Sequence, residues 1–169
     1  IEKYENTKGI INLERIRELD RIRRHDMKAL IEAFIEGAKT GEYIHKGLTS
    51  RDLKDNVDQW QIRDAAKIIF GKYISILRHF INKSIEYRDI VLTARTHHQA
   101  AQPTILGRRF SMWAEELLLH LISFERFIDK YPLRGIKGPV GTQFDMLTLL
   151  GDKEKVNQLE IILARKLGF

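Results

Sequence analysis

Apolar residues recur at intervals of three and four along most of the chain, which is the spacing of one face of an α-helix. Over residues 11–39 the pattern predicts two helices or one kinked helix, because a charged cluster at residues 21–26 interrupts it. The longest periodic stretch covers residues 52–88 and contains no proline. Average helices have only about 11 or 12 residues, so this stretch predicts an elongated bundle or a coiled-coil-like oligomer core.

Polar residues mark the predicted helix ends. Thr49 or Ser50 is placed to cap the long helix, since a hydroxyl can accept a hydrogen bond from the first free backbone N–H groups. Pro103 precedes a third periodic stretch over residues 105–129 and predicts a helix start there, because proline is tolerated where a missing N–H has no partner.

The rest of the chain completes a helical pattern. A glycine-rich stretch at residues 134–143 predicts a constrained loop that can bring backbone close to a ligand. A last helix is predicted between Asp152, its N-cap, and Leu167, with Gly168 ending it. No stretch shows the alternation typical of strands, and the sequence therefore predicts an all-α fold.

Composition narrows the class of protein. The chain has 169 residues, 43% hydrophobic and 31% charged, which is a globular, water-soluble balance. No apolar run approaches the roughly 20 residues that span a bilayer, so no membrane association is predicted and the cytoplasm is the default location. The absence of cysteine excludes a disulfide, a thiolate zinc site and a cysteine nucleophile.

The charge balance favours anionic partners. The formal net charge is +6, which attracts nucleic acid, phosphorylated metabolites and polycarboxylates alike. The 29 basic residues are interleaved with 23 acidic ones and do not form a basic block. A locally cationic pocket is therefore favoured over a nucleic-acid surface, although a non-catalytic helical module that binds nucleic acid remains an alternative.

Three polar clusters interrupt the helical pattern, each with a histidine beside charged, hydroxyl or amide groups: residues 24–26, His45 with residues 49–52, and residues 96–102. A single histidine near a helix end is more often a cap or a surface group than a catalyst. If the clusters converge, they offer an arginine clamp for an anion, hydroxyl donors and a histidine proton carrier. No metal site is predicted, because His97 and His98 are adjacent and no recognised ligand spacing completes a set.

Four segments resemble the adenylosuccinate lyases, a branch of the fumarase/aspartase superfamily. The segments are RRHDMKALIEAF (23–34), IHKGLTSRDLKDN (44–56), RTHHQAAQPTILGRRF (95–110) and LRGIKGPVGTQ (133–143). Argininosuccinate lyases share the Thr-His-x-Gln-x-Ala-Gln-Pro pattern. The His-Asp and Thr-Ser-x-Asp segments fit the adenylosuccinate branch better.

The resemblance implies a chemistry and a set of residues. It implies β-elimination of fumarate from adenylosuccinate, giving AMP, and from succinyl-aminoimidazole-carboxamide ribotide in purine biosynthesis, with no metal or organic cofactor. His97 would be the general acid that protonates the leaving nitrogen, His45 would support the site, and His98 receives no proton-transfer role. The substrate-binding residues implied by the resemblance are Arg24, His25, Asp26, Thr49, Ser50, Thr96 and Gln143.

The resemblance also implies an architecture. Residues 1–51 would belong to an N-terminal helical domain and residues 52–169 to the beginning of a central long-helix bundle, both incomplete. The family assembles homotetramers whose active sites combine several subunits, and its general base lies on a serine loop that has no counterpart in this sequence. We therefore expect a fragment that is inactive alone, with another fumarate-releasing lyase of the same superfamily as the alternative parent.

Overall fold

A computed structural model describes residues 2–10 and 12–169, so the predicted helix start at Ile11 lies outside the described residues. Helices and strands follow one another as α1 (Glu2–Thr7), α2 (Leu13–Arg23), α3 (Asp26–Ala38), α4 (Ser50–Glu86), β1 (Val91–Thr96), β2 (Gln99–Ile105), α5 (Leu106–Asp129), α6 (Phe144–Leu150) and α7 (Lys153–Lys166). Helices dominate, which confirms the predicted all-α class apart from one small sheet.

The charged cluster divides the first periodic stretch into two helices, α2 and α3. Arg24 ends α2 in the left-handed conformation (φ 51°), and His25 is extended (φ −157°) as the N-cap of α3. Paired hydrogen bonds of 2.8–2.9 Å join Arg15 to Glu36 across the two helices. The choice between two helices and one kinked helix is thus settled in favour of two.

The long helix is confirmed as α4, with 37 residues. Helix α4 begins after Thr49, as predicted. In the hydrogen bond at this helix start, however, Thr49 is the donor and not the acceptor. The backbone N–H of Thr49 donates to the carboxylate of Asp52 at 3.0 Å. This is the half of a capping box in which the third helical residue reaches back to the residue before the helix.

The prediction that strands are absent is wrong for residues 91–105. Strands β1 and β2 form an antiparallel hairpin in which Val91 lies opposite Ile105 and Thr96 opposite Gln99. Between Thr93 and Arg95 the register shifts, leaving one extra residue on β2. Branched side chains such as Val91 and Thr93 suit a strand.

Pro103 lies inside β2, opposite Thr93, and does not begin a helix. Helix α5 starts at Leu106, three residues later, and Ile105 before it makes no side-chain cap bond. Proline is compatible with β2 because both strands of a two-stranded sheet are edge strands.

The chain divides into two compact units. The first comprises Ile1–Trp60 and Leu133–Phe169, and the second comprises Gln61–Pro132. In the first unit Ile136, Met146 and Val156 are buried together, with four leucines packed against them. In the second, Phe110 is ringed by Phe80, Tyr87 and Trp113 at centroid distances of 5.3–5.9 Å. The domain boundary predicted after residue 51 stays a prediction.

Within the part of the chain that the structure describes, no helix is both long enough and apolar enough to cross a membrane.

Candidate functional site

The predicted proton donor, His97, lies at the tip of the hairpin, which we define as residues 96–99. His97 and His98 form the two-residue loop, and both have positive φ, 49° and 64°. Positive φ at both central positions is the requirement of a type I′ hairpin turn, which normally selects Asn and Gly. The left-handed conformation costs a residue with a side chain about 1–2 kcal/mol.

Neighbouring side chains support this turn. The Arg95 guanidinium donates to the His98 carbonyl at 3.2 Å, and Thr96 pairs with Gln99 where the strands end. All residues of the hairpin tip are exposed, so the His97 imidazole lies in contact with solvent. Strained non-glycine residues cluster at functional sites, and the conformation of His97 is consistent with its predicted role.

In the first unit, His25 and Ser50 come together from different helices. His25 Nδ1 accepts the Lys28 N–H at 3.3 Å as the N-cap of α3, and Nε2 lies 3.4 Å from Ser50 Oγ. A ring nitrogen that accepts a backbone N–H carries no proton itself, so the neutral ring has its proton on Nε2, toward Ser50. The imidazole is therefore held at both nitrogens.

Asp26 extends this contact to α4. One carboxylate oxygen accepts the Met27 N–H at 2.7 Å, and the other lies 3.3 Å from Lys54 Nζ. These two hydrogen bonds lower the pKa of Asp26 from its ordinary value. We call residues 25, 26, 50 and 54 the His25–Ser50 edge. Three of them were predicted as substrate-binding residues and one, Lys54, was not.

Arg24 immediately precedes this edge and is exposed. Its backbone N–H closes α2 by donating to the Asp20 carbonyl at 2.7 Å. The residue thus joins α2 to the His25–Ser50 edge.

Gln143 closes the glycine-rich loop. Its side-chain amide donates to the Ile136 carbonyl at 2.9 Å, and its backbone N–H donates to the Lys137 carbonyl at 3.2 Å. Gln143 itself has φ 57°, immediately before α6. The amide nitrogen of the predicted substrate contact is therefore engaged within the loop, and the amide oxygen is the group that can accept a hydrogen bond from a ligand.

The supporting residue His45 has a different environment. It is in the left-handed conformation (φ 61°) and lines a cavity of about 380 Å³ with apolar residues of α3 and the following loop, including Leu30, Phe34 and Leu48. Its Nε2 atom is buried and has no hydrogen-bond partner within the described residues. His45 is thus placed against an apolar wall.

The structure therefore brings only some of the predicted residues together. His25, Asp26 and Ser50 share the His25–Ser50 edge, and Thr49 directly precedes Ser50 at the start of α4. Thr96 and His97 belong to the second compact unit. Lys54 could have been found from the sequence, because it lies four residues after Ser50 and so on the same face of a predicted helix.

Among residues 2–10 and 12–169, no group of three His, Cys, Asp or Glu side chains could hold a metal ion.

Comparison with known proteins identifies a family. The sequence model described as lyase matches residues 9–155, which is most of the chain.

Individual relatives carry a more specific name. The chain is 38% identical over 153 residues to adenylosuccinate lyase from Schistosoma mansoni, and 39% identical over 148 residues to that from Saccharomyces cerevisiae. These alignments cover 89% and 86% of this chain but only 32% and 31% of the relatives. The chain thus spans about a third of the length of the curated relatives that it matches, and the resemblance seen in the sequence is confirmed.

Solved structures share the fold. Fumarate lyase from Mesorhizobium sp. BNC1 superimposes with a TM-score of 0.85 at 23% identity, over 98% of this chain and 38% of that one. The 3-carboxy-cis,cis-muconate lactonizing enzyme from Pseudomonas putida gives a TM-score of 0.77 at 20% identity, over 94% of this chain and 36% of that one. At these identities the likeness describes the fold alone.

Proposed function

Because the chain belongs to the lyase family, we propose that its full-length parent is a fumarate-releasing lyase that cleaves adenylosuccinate to AMP and fumarate. The same chemistry would cleave succinyl-aminoimidazole-carboxamide ribotide in purine biosynthesis. The main support is the 38–39% identity to adenylosuccinate lyases over 86–89% of this chain. No metal or organic cofactor is required for this reaction.

The proposed reaction needs two separate proton-transfer groups. A base removes a proton from the carbon next to a carboxylate, the bond between the neighbouring carbon and nitrogen breaks, and the nitrogen takes a proton from an acid. We assign the acid to His97, whose exposed ring lies at the hairpin tip. Negative charge that builds on the carboxylate calls for hydrogen-bond donors fixed in advance.

All of the proposed substrate-binding residues except Thr96 belong to the first unit. Arg24 offers a guanidinium, which suits carboxylate and phosphate groups through paired hydrogen bonds. The Ser50 hydroxyl accepts the Nε2–H of His25 and can donate its own proton to an anion, and Lys54, which is bonded to Asp26, adds a positive charge to the same edge. Thr49 and Thr96 supply hydroxyls, and the amide oxygen of Gln143 supplies an acceptor. Asp26 positions Lys54, and His45 supports the loop before α4.

The family resemblance implies active sites that combine several subunits. We propose that the parent is a homo-oligomer, a tetramer by resemblance, located in the cytoplasm. The 169 residues alone are proposed to be inactive, because the serine loop that supplies the family's base has no counterpart among them.

The test is product analysis with the purified full-length parent. Adenylosuccinate, succinyl-aminoimidazole-carboxamide ribotide and argininosuccinate are each supplied, and fumarate and the second product are measured. We expect fumarate with AMP from adenylosuccinate and no turnover of argininosuccinate. Release of fumarate only from argininosuccinate or another amine would assign a different lyase, and no fumarate from any substrate would refute the proposal.

A further inference from the structure

Asp52 is the most completely bonded carboxylate in the described part of the first unit. Its side chain is fully buried. One oxygen accepts the backbone N–H groups of Lys137 and Gly138 at 2.9 and 3.1 Å, and the other accepts the Thr49 N–H at 3.0 Å. The guanidinium of Arg134 donates to it as well.

These bonds keep Asp52 ionised. Burial by itself raises the pKa of a carboxyl group, but the N–H donors of Thr49 and Lys137 and the Arg134 guanidinium outweigh it and lower the pKa of Asp52. A buried carboxylate that accepts several N–H bonds requires all of them, because an unmet charge in a buried position is costly. The ionised Asp52 side chain therefore fixes the positions of the backbone N–H groups that donate to it.

The partners of Asp52 belong to two segments far apart in the chain. Thr49 precedes α4, next to Ser50 of the His25–Ser50 edge. Lys137 and Gly138 lie in the glycine-rich loop, 85 and 86 residues after Asp52. That loop closes on Gln143, whose backbone N–H donates to the Lys137 carbonyl. One carboxylate thus connects the segment that holds Ser50 with the segment that holds Gln143.

Neighbouring residues on α4 reinforce the same connection. Asn56, one turn beyond Asp52, donates to the Gly135 carbonyl and accepts the Gly135 N–H, both at 2.9 Å. Gln59 accepts the backbone N–H of Arg134. These bonds anchor the beginning of the loop, whereas Asp52 anchors the part nearest Gln143.

We propose that Asp52 is a positioning residue of the substrate site, which sets the separation between Ser50 and Gln143 by binding Thr49 at one end and the glycine-rich loop at the other. It touches no substrate itself. The inference rests on the proposed function, since it assigns Ser50 and Gln143 to substrate binding. Asp52 would affect substrate binding indirectly, through the positions of Ser50 and Gln143.

The test compares Asp52→Asn with Asp58→Asn in the full-length parent. Asn keeps the size of the side chain but turns one acceptor oxygen into an NH₂ group, which would face N–H donors of the backbone. Asp58 is exposed on the same helix, so Asp58→Asn controls for the lost charge. We expect Asp52→Asn to raise KM by about tenfold with a smaller change in kcat, and Asp58→Asn to keep KM within about twofold.

Hydrogen exchange provides a readout that does not depend on turnover. The amides of Lys137 and Gly138 should exchange faster in Asp52→Asn than in Asp58→Asn, because their acceptor has been weakened. Equal exchange in the two variants, or an unchanged KM in Asp52→Asn, would overturn the proposal.

Combination with Gln143→Ala separates positioning from a general loss of structure. If Asp52 acts through Gln143, the rise in KM caused by Asp52→Asn should be smaller in the Gln143→Ala background than in the wild type. A rise of the same factor in both backgrounds would overturn the assignment.

A second variant, Arg134→Gln, serves if Asp52→Asn does not fold. Arg134 is partly exposed, and its replacement leaves the backbone donors to Asp52 in place. Arg134→Gln should raise KM several-fold, and an unchanged KM would then refute the proposal.

The outcomes distinguish this proposal from the proposed function. A wild-type parent that releases no fumarate refutes the proposed function, whereas an active parent whose variants are unaffected refutes only the positioning role of Asp52.

Discussion

The Nε2 atom of His25 lies 3.4 Å from the hydroxyl oxygen of Ser50, although 25 residues separate them in the chain. His25 caps α3 and Ser50 is the first residue of α4, so the contact joins the N-terminal ends of two helices. Helix N-termini carry partial positive charge, which favours an anionic group near both side chains.

Ser50→Ala should weaken substrate binding more than it slows turnover. The change removes a donor and the partner of His25 Nε2, and one hydrogen bond contributes about 0.5–1.5 kcal/mol. We therefore expect KM in the full-length parent to rise by about threefold to tenfold, measured by fumarate release. Ser75→Ala is the matched control, since that exposed hydroxyl only bonds the Gly71 carbonyl of its own helix. Equal KM values for the two variants would remove Ser50 from the site.

His97→Asn should abolish most of the activity without disturbing the hairpin. Asn lacks the imidazole that transfers the proton, but it is among the residues that best tolerate positive φ. The expected loss in kcat is about 100-fold or more, a typical contribution of general acid catalysis. His98→Asn makes the same change at the adjacent position of the turn, and we expect it to retain activity. If both variants are equally impaired, the loss reflects the turn and His97 is not the acid.

Gly107→Ala should destabilise the second unit. A Cβ atom at Gly107 would lie 2.9 Å from Arg88 Cα and 3.0 Å from Arg88 N, and it would also meet the Ser84 carbonyl. Overpacking of this kind costs about 1–3 kcal/mol, and we expect a lower midpoint of thermal unfolding. Gly71→Ala is the contrasting control, because nothing lies within 4 Å of a Cβ atom there. That change should raise the midpoint, since alanine favours an exposed helix more than glycine does.

The contribution of Asp52 to stability should depend on pH in a defined direction. The pKa of Asp52 is lowered in the folded protein from an ordinary value of 3.8. The ionised carboxylate therefore stabilises the fold fully above its unfolded-state pKa, and this contribution is lost as the pH falls through the folded-state pKa. We expect the difference in thermal midpoint between wild type and Asp52→Asn to be constant above about pH 5 and to shrink at lower pH. A difference that stays constant down to about pH 3 would contradict the assignment.

Much of the helical architecture could be predicted because long periodic patterns are robust. The break between α2 and α3 was visible at Arg24 and His25, where charge interrupts the apolar face. The bounds of α4 were predicted to within two residues at each end. The short helices α1 and α6 were not predicted, since six or seven residues give too few turns for a periodic signal.

The hairpin was missed for identifiable physical reasons. The turn is His97-His98 and not Asn-Gly, and residue propensities do not predict positive φ at two consecutive histidines. Pro103 is rare inside a strand and common at a helix start, so the sequence favoured the wrong element. The extra residue on β2 also breaks the alternation by which a strand is recognised.

The candidate site could be predicted only in part, since a sequence motif names residues but not their partners. The contact between His25 and Ser50 depends on how α3 and α4 pack. The role of Asp52 depends on donors more than 80 residues away. At the sequence level Asp52 is simply the fourth residue of Thr-Ser-Arg-Asp, and it was not chosen as a site residue.

The first unit consists of two separate stretches of the chain, which has a consequence for folding during translation. Its two stretches flank the whole of Gln61–Pro132, so the hydrogen bonds between the two stretches cannot form until Leu133 and the residues after it have left the ribosome. The inserted stretch is continuous and rich in local helical contacts, which form early. During translation we therefore expect Gln61–Pro132 to acquire its structure before the first unit is complete, and Asp52 to lack the Arg134 guanidinium and the backbone donors of the glycine-rich loop until those residues have been synthesised.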